Sequence, residues 1–357
     1  RAAGEIAMNA EGLLTGLLRL YSPTGSEGEA VRFLAKQMSL AGLEANVDPV
    51  GNAIGRIGSG DRHVLLLGHI DTAPGEIPVR KQGDLLFGRG AVDAKGPLAA
   101  FVAAAALGPI PGLQVTVVGA VHEEGDSLGA THLRDHFPAP DALIIGEPSG
   151  WERVTLGYKG CVTYTLTAET NTAHPASDKA NACEIAITAW DALVGWARNF
   201  NAGRSRAFDQ LTTTLRAMQS EGNGLRERAQ LRVTFRLPEG LAAPEIHSKV
   251  RQLIGPGIEI ETLPAAVPAF RAPKNTALVR AALAAIRADG GTPRFVVKTG
   301  TSDMNMVAPA WGCQTIAYGP GDSSLDHTPE EHISLAEFQC SIVVLRGILE
   351  RLSSAGA

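Results

Sequence analysis

Imidazole and carboxylate side chains recur in this chain at the ends of apolar runs. His69 and Asp71 stand two residues apart in Gly68-His69-Ile70-Asp71-Thr72, a spacing that puts both on one side of an extended strand end. A carboxylate beside an imidazole fixes the tautomer of a metal-ligating histidine and raises its basicity. Asp93 lies in GRGAVDAKG (88–96), whose glycines permit a tight turn and a close backbone approach. Glu123-Glu124 closes the next apolar run, Glu147 the one after, and His327 stands in DHTPEE (326–331). Imidazole and carboxylate without thiolate suit zinc or cobalt with open coordination positions, as catalysis requires. Two histidines and three carboxylates are enough for two ions if one carboxylate bridges, and ions about 3.5–4 Å apart activate a water and steady a developing oxyanion. Neighbouring side chains diverge at a strand end, so Glu123 and Glu124 divide the work, one as base and one as ligand. Taken singly, each feature has a plainer reading: His-x-Asp as a capped loop, Glu-Glu as solvated charge, Glu147 as a helix cap. Their recurrence at one sheet edge favours a metal site.

Those side chains need a scaffold. Ala10 to Leu43 spaces its leucines helically and is broken at Ser22-Pro23-Thr24-Gly25; a second helix follows, with Val31, Phe33, Leu34 and Met38 as apolar positions. The runs His63–Gly68, Gln114–Val121 and Ala142–Gly146 read as buried strands, and Gly96 to Leu107 as a helix packed by alanines. Short apolar runs alternating with helices predict an α/β fold whose mixed, largely parallel sheet is covered on both faces. In such sheets ligands sit beyond the carboxyl ends of the strands, where the polar clusters fall. From about Trp151 the pattern changes. Tyr158 to Ala168 alternates as a strand with one exposed face; a helix over Asn181–Arg198, strands at Leu211–Met218 and Ala229–Leu237 and a helix from Pro244 make a plausible α+β unit. Helix Thr276–Ala288 and a turn-rich segment, Thr299 to His332, follow. An interrupted catalytic domain is the simplest arrangement, because two sequential domains would leave the polar clusters of the two ends far apart.

The 357 residues, 45% hydrophobic and 19% charged, supply a core for two domains. A formal net charge of −5 gives no ground for a nucleic-acid or anionic-lipid partner. The longest apolar stretch, Leu98 to Leu107, is too short to span a bilayer, and Arg1 to Glu11 has no apolar core of a secretory signal. Cys161, Cys183, Cys313 and Cys340 lie far apart without a CxxC pair, as free thiols in a reducing compartment do. The expectation is a soluble, cytoplasmic protein.

With these residues in place, the chain resembles the co-catalytic zinc peptidase family that includes acetylornithine deacetylase, succinyl-diaminopimelate desuccinylase, aminoacylase and carboxypeptidase G. The resemblance rests on GHIDT (68–72), GRGAVDAKG (88–96), HEEG (122–125), GEPS (146–149) and DHTPEE (326–331), in order and at matching spacing over nearly the whole chain. It implies two divalent metals, zinc or cobalt: His69 and Glu147 on one, Glu124 and His327 on the other, and Asp93 as the bridge. It makes Asp71 the orienter of His69 and Glu123 the general base, and places a cis peptide at Asp93-Ala94. It also implies a catalytic domain over 1–153 and 269–357 and an inserted lid and dimerisation domain over 154–268. In that insert Ala173-His174-Pro175, with Asn181-Ala182, resembles the motif whose histidine reaches a partner subunit's site, which implies a homodimer. Arg236 matches an arginine that grips a substrate carboxylate. Two departures concern the lid: Asn171-Thr172 replaces a glycine usual before the histidine, and Thr234 an acid usual two residues before the arginine.

Within the family, GHIDTAPGEIPVR (68–80) and KTGTSDMN (298–305) are similar to hydrolases of lysine biosynthesis that release lysine, and often ornithine, from the C-terminal glutamate of an amino-group carrier protein. That likeness implies the carrier as partner and a turn, Gly300-Thr301-Ser302-Asp303, offering donors to the substrate's α-carboxylate beside Arg236. Arg80, Lys81, Arg89 and Lys95 are candidates to attract an acidic carrier, or else ordinary solvated charge. Rival readings are deacetylation of a small N-acetylated amino acid, a dipeptidase, and a silent relative that binds without cutting. Against the last stands Glu123, a base with no purpose unless something is cut.

Overall fold

The computed structural model describes residues 8–174, 176–264 and 266–354. Pro175 of the lid motif, residue 265 and the terminal residues of the expected catalytic domain lie outside these. The chain divides into two compact units, residues 1–157, 272–297 and 302–357 in one and 158–271 with 298–301 in the other.

The first unit begins with α1 (Ala10–Leu18), whose first turn is capped by Asn9 accepting the Gly12 N–H at 2.8 Å. Leu13, Leu14, Leu17 and Leu18 bury one face of it. The break at Ser22–Gly25 separates it from α2 (Gly28–Leu40), which buries Ala30, Val31, Leu34 and Met38 but leaves Phe33 half covered. There follow β1 (Glu44–Val47), β2 (Ala53–Ile57), β3 (Arg62–His69), β4 (Arg80–Gln82), β5 (Leu85–Phe87), α3 (Lys95–Ala105), β6 (Leu113–Ala120), α4 (Leu128–His136), β7 (Ala142–Gly146) and β8 (Arg153–Tyr158). The second unit supplies β9 (Gly160–Asn171), α5 (Ala182–Phe200), β10 (Thr212–Gly222), β11 (Arg226–Leu237), α6 (Ala243–Ile254) and β12 (Ile258–Thr262). After β13 (Phe270–Arg271), the chain returns through α7 (Ala277–Ala288), β14 (Arg294–Lys298), α8 (Asp303–Trp311), β15 (Gln314–Ala317), β16 (His332–Ser334) and α9 (Leu335–Ser354).

The main sheet runs β1-β2-β6-β3-β7-β15-β8, and β14 also pairs with β8. Its middle is parallel: β6, β3, β7 and β15 all point the same way. This is the mixed, largely parallel sheet between helices that the sequence predicts. Val64 and Leu66 of β3 join the core with α3, α7 and α9, while Leu65 and Leu67, on the opposite face, are equally buried. Every residue of α3 is buried; its alanines let it lie close to the strands. Gly146 at the end of β7 cannot carry a side chain, because a Cβ there would sit 2.8 Å from the Phe101 ring and 3.1 Å from Gly68 Cα. The close approach of β3, β7 and α3 fixes where the strand ends open.

Thr299 to His332 departs from the turn-rich expectation. It contains α8 and β15, and β15 is an inner strand pairing in parallel with β7. Pro309 within α8, Gly312 at its end and a strand of only four residues give weak periodicity, so local pattern misses what tertiary pairing makes regular.

In the second unit β10-β11-β9-β12 form an antiparallel sheet. Val162, Tyr164 and Leu166 of β9 pack with Ala186, Ala189 and Leu193 of α5 and Ile246 and Val250 of α6. The start of α5 is closed by a capping box in which Asn181 and Glu184 exchange bonds. The fourth strand, β12, extends the strand–helix–strand–strand–helix pattern of the sequence.

Leu66, fully buried in the central strand, offers a test of this packing. Leu66→Ala should destabilise the first unit by about 2–5 kcal/mol, read as a lower urea midpoint, with the far-UV circular dichroism of the native state unchanged.

Candidate metal centre

The parallel pairing of β6, β3 and β7 brings the ends of the three strands to one edge. His69 closes β3, Glu123 and Glu124 follow β6, and Glu147 follows β7. Asp93 precedes α3, at a cis peptide joining it to Ala94. His327 comes from the loop before β16 and holds φ at 61°, a left-handed conformation that costs energy in a residue other than glycine.

The buried His69 ring is oriented by its own loop. Nδ1–H donates to the Asp71 carbonyl at 2.9 Å, with the Asp71 carboxylate at 3.4 Å. Nε2 is then the face turned to Asp93 Oδ1 at 3.1 Å and to Glu123 and Glu147, each at 3.9 Å. Asp93 has its other oxygen, Oδ2, 3.0 Å from His327 Nε2, which lies 2.8 Å from Glu124. The ligating atoms of His69, Asp93 and Glu147 lie within 4.8 Å of one another, and so do those of Asp93, Glu124 and His327. Two nitrogen–oxygen triads thus share one carboxylate, one oxygen facing each way. This donor set fits a pair of divalent cations of borderline softness.

Asp71 does more than accompany His69. Its Oδ1 accepts the Glu123 N–H at 3.0 Å and its Oδ2 the Glu124 N–H at 3.0 Å, with Thr24 Oγ1 donating to Oδ2 at 2.8 Å. One buried carboxylate therefore fixes the backbone of the acid pair as well as standing beside the imidazole. Thr24 comes from the break between α1 and α2, a break that sequence reasoning found without seeing its use.

The cluster is strongly negative. Burial pushes the Glu123 carboxyl well above its ordinary range, Glu147, Asp303 and Glu124 add to this, and His69 opposes it. Burial alone would lower the His69 imidazole, but Glu123, Asp71 and Asp93 outweigh it and hold it well above its usual value. His327 is raised to about 10 by its bonds to Asp93 and Glu124. Burial works against ionised Asp93, yet the two imidazoles keep it low. Positive charge is what this cavity favours.

Sequence reasoning missed the position of Asp303. It is the first residue of α8, buried and near enough to Glu123 to raise that carboxyl, and burial pushes its own up to about 6. Of the residues read as substrate donors, Ser302 closes the first turn of α8: its N–H donates to Asn305 Oδ1 and its Oγ accepts from the Met304 N–H, bonds that do not use its O–H. In the second unit Arg236 Nη1 donates to Thr301 Oγ1 at 2.9 Å, and Gly300 is half-buried. His174 is exposed there, its Nδ1 accepting from the Ala176 N–H at 3.1 Å. Arg89 and Lys95, read as possible attractors of an acidic partner, are buried: Lys95 binds the Leu17 and Leu20 carbonyls, and Arg89 pairs with Glu331. Arg80 and Lys81 are exposed.

Peptidase family M20/M25/M40 matches residues 65–351. The chain belongs to this family. As an M20 member it is a hydrolase. It is 43% identical over 356 residues to a LysW-lysine hydrolase of Deinococcus radiodurans, covering 97% of this chain and 98% of that protein. A putative LysW-lysine/LysW-ornithine hydrolase of Thermococcus kodakarensis is 40% identical, covering 96% and 92%. The M20 fold extends to distant structures: the metallo-carboxypeptidase Sso-CP2 of Sulfolobus solfataricus superposes with a TM-score of 0.80 at 17% identity, over 97% of this chain and 99% of that one.

In chelator-treated protein the raised pKa of His327 makes a linked prediction. An imidazole raised from 6.5 to about 10 contributes stability fully below 6.5 and loses it as pH rises through about 10. NMR titration should find His327 charged at pH 8 and Asp93→Asn should bring its titration down. A wild-type midpoint near 6.5 would contradict the Asp93–His327–Glu124 arrangement.

Proposed function

We propose that this chain is a cytoplasmic, metal-dependent amidohydrolase of lysine biosynthesis. In this reading it releases lysine, and in some settings ornithine, from the C-terminal glutamate of an amino-group carrier protein. The observation that carries the hydrolytic part is the pair of triads sharing Asp93, with Glu123 on the same cavity. The carrier part is supported by the names of the relatives, which match along almost the full length of both chains. Four free cysteines support a reducing compartment, and no helix among the described residues is long and apolar enough to cross a membrane.

His69 and Glu147 would hold one cation, Glu124 and His327 the other, and Asp93 both; zinc is the first candidate and cobalt the second. Bound there, the pair would supply Lewis acidity and lower the pKa of water to about 7. Glu123 accepts the proton of the attacking water and passes it to the leaving amine. Its environment suits both halves of the task, since burial favours the protonated form and nearby positive charge the ionised one. Asp71 holds Glu123 in place through the backbone. Arg236, with Thr301 and Gly300 beside it, takes the substrate's α-carboxylate; a guanidinium fork matches a carboxylate's two oxygens. Ser302, whose N–H and an Oγ lone pair close α8, offers its O–H to the same carboxylate. His174, with Nδ1 accepting from backbone, is left with Nε2–H to donate to the developing oxyanion of a second copy in a homodimer. Arg80 is the remaining candidate to draw in an acidic carrier, since Lys81 is paired with Glu11 at 2.7 Å and reads as ordinary solvated charge.

The reading is tested by offering carrier-linked lysine and N-acetyl-lysine in parallel to the zinc- or cobalt-loaded protein. Preferential release from the carrier is expected, and Glu123→Gln should keep both ions while kcat falls about 10²–10⁴-fold. Equal or faster cleavage of N-acetyl-lysine would make the enzyme a general deacetylase and remove the carrier. Sharing of His174 is tested by mixing His174→Ala with Glu123→Gln subunits: activity should reappear in the mixed dimers, and none would mean that each subunit uses only its own residues.

A further inference from the structure

In the first unit a buried arginine–glutamate pair sends its side-chain bonds to loops around the candidate centre. Arg89 and Glu331 are 7% and 0% exposed, and Arg89 Nη1 lies 2.8 Å from Glu331 Oε2. The other oxygen, Oε1, accepts the Val92 N–H at 2.9 Å and the Asp93 N–H at 3.1 Å. Arg89 Nε donates to the Gly75 carbonyl at 2.8 Å, and Nη1 also to the Thr328 carbonyl at 3.2 Å. Three segments are tied together by these contacts: the stretch after His69 and Asp71, the turn bearing Asp93, and the loop bearing His327.

Replacing a buried ion pair with apolar side chains is often neutral or stabilising, so its presence is weak evidence for a contribution to stability. What an ion pair does well is fix directions, because each oxygen and N–H accepts or donates along a limited set of lines. Here those lines end on the backbone next to Asp93 and His327. A glutamine at 331 could keep the two backbone bonds but would turn an amide N–H toward the guanidinium. A lysine at 89 would keep the charge but reach fewer of the acceptors that the planar fork meets.

We propose that Arg89 and Glu331 are positioning residues that hold the Asp93 turn and the His327 loop in mutual register, so that Asp93 presents one oxygen to each triad. The functional half of this inference rests on the two-metal reading; the structural half does not. The neighbouring glutamate, Glu330, is exposed and serves as the control.

Two measurements on Glu331→Gln, Arg89→Lys and Glu330→Gln separate the halves. Hydrogen exchange on chelator-treated protein should show segment 88–96 exchanging at least tenfold faster in the first two variants, with β3 and the Glu330→Gln protein unchanged. Calorimetric titration with Co²⁺ should then show binding to the same two variants weakened about 10–100-fold, the range typical of groups that orient metal ligands. The visible cobalt spectrum should shift, and kcat should fall more than KM rises. Unchanged exchange at 88–96 would overturn the proposal even if two ions bind. Faster exchange throughout the first unit, β3 included, would overturn it by making the pair a general support of the fold. Faster local exchange with wild-type Co²⁺ affinity and spectrum would overturn its functional half. A wild-type protein that binds no Co²⁺ would overturn that half together with the metal reading.

Discussion

The Asp71 carboxylate has to be ionised, buried and saturated at once. It has no exposure to water, and it meets that demand by accepting the N–H groups of Glu123 and Glu124 and the hydroxyl of Thr24. An unpaired buried carboxylate would be far more costly than any one of these bonds is favourable. The Glu123-Glu124 backbone, the loop between α1 and α2 and the end of β3 must therefore converge on one point. The rest of the centre follows from that point: where Glu123 and Glu124 can aim, which face of His69 is free, and how close the strand ends stand.

Around it the molecule concentrates carboxylates that would repel one another if nothing positive lay between them. Protons on His69 and His327, or a carboxyl kept neutral at Glu123, answer that demand in the chain alone. Divalent cations answer it better, since they replace several protons with fixed charge. A strand-end geometry dictated by parallel pairing and an electrostatic field dictated by composition thus point to the same occupant.

The main features of this arrangement were legible in the sequence because each strand is a continuous apolar run that stops at a chemically distinctive residue. His69, Glu123, Glu124 and Glu147 announce themselves by type and position, and Asp93 by its glycines. The cis peptide at Asp93-Ala94 came from family resemblance alone. What was not legible works through backbone. Thr24, Arg89 and Glu331 hold main-chain groups or carboxylates of distant loops, and no spacing marks such a task; nothing in DHTPEE distinguishes buried Glu331 from exposed Glu330. Strand β15 escaped because four residues carry no period, and Asp303 because a carboxylate after a capping serine looks like an ordinary helix start. Arg89 and Lys95 looked available to a partner because sequence shows charge and not depth.

The strands that present the centre are parallel neighbours, and that has a consequence for the order in which the protein is made. Parallel strands need crossovers, so their pairing joins distant stretches of chain and is slow to nucleate. β15, which completes the parallel core, and His327, which completes the second triad, follow everything else in the cluster by more than the length of the inserted unit. A chain leaving the ribosome therefore displays His69, Asp93, Glu124 and Glu147 long before it can close a cavity around them. The triad of His69, Asp93 and Glu147 belongs wholly to the stretch made before the inserted unit, whereas the second waits for His327, so Asp93 gains its other imidazole partner only once residues beyond that unit have been made.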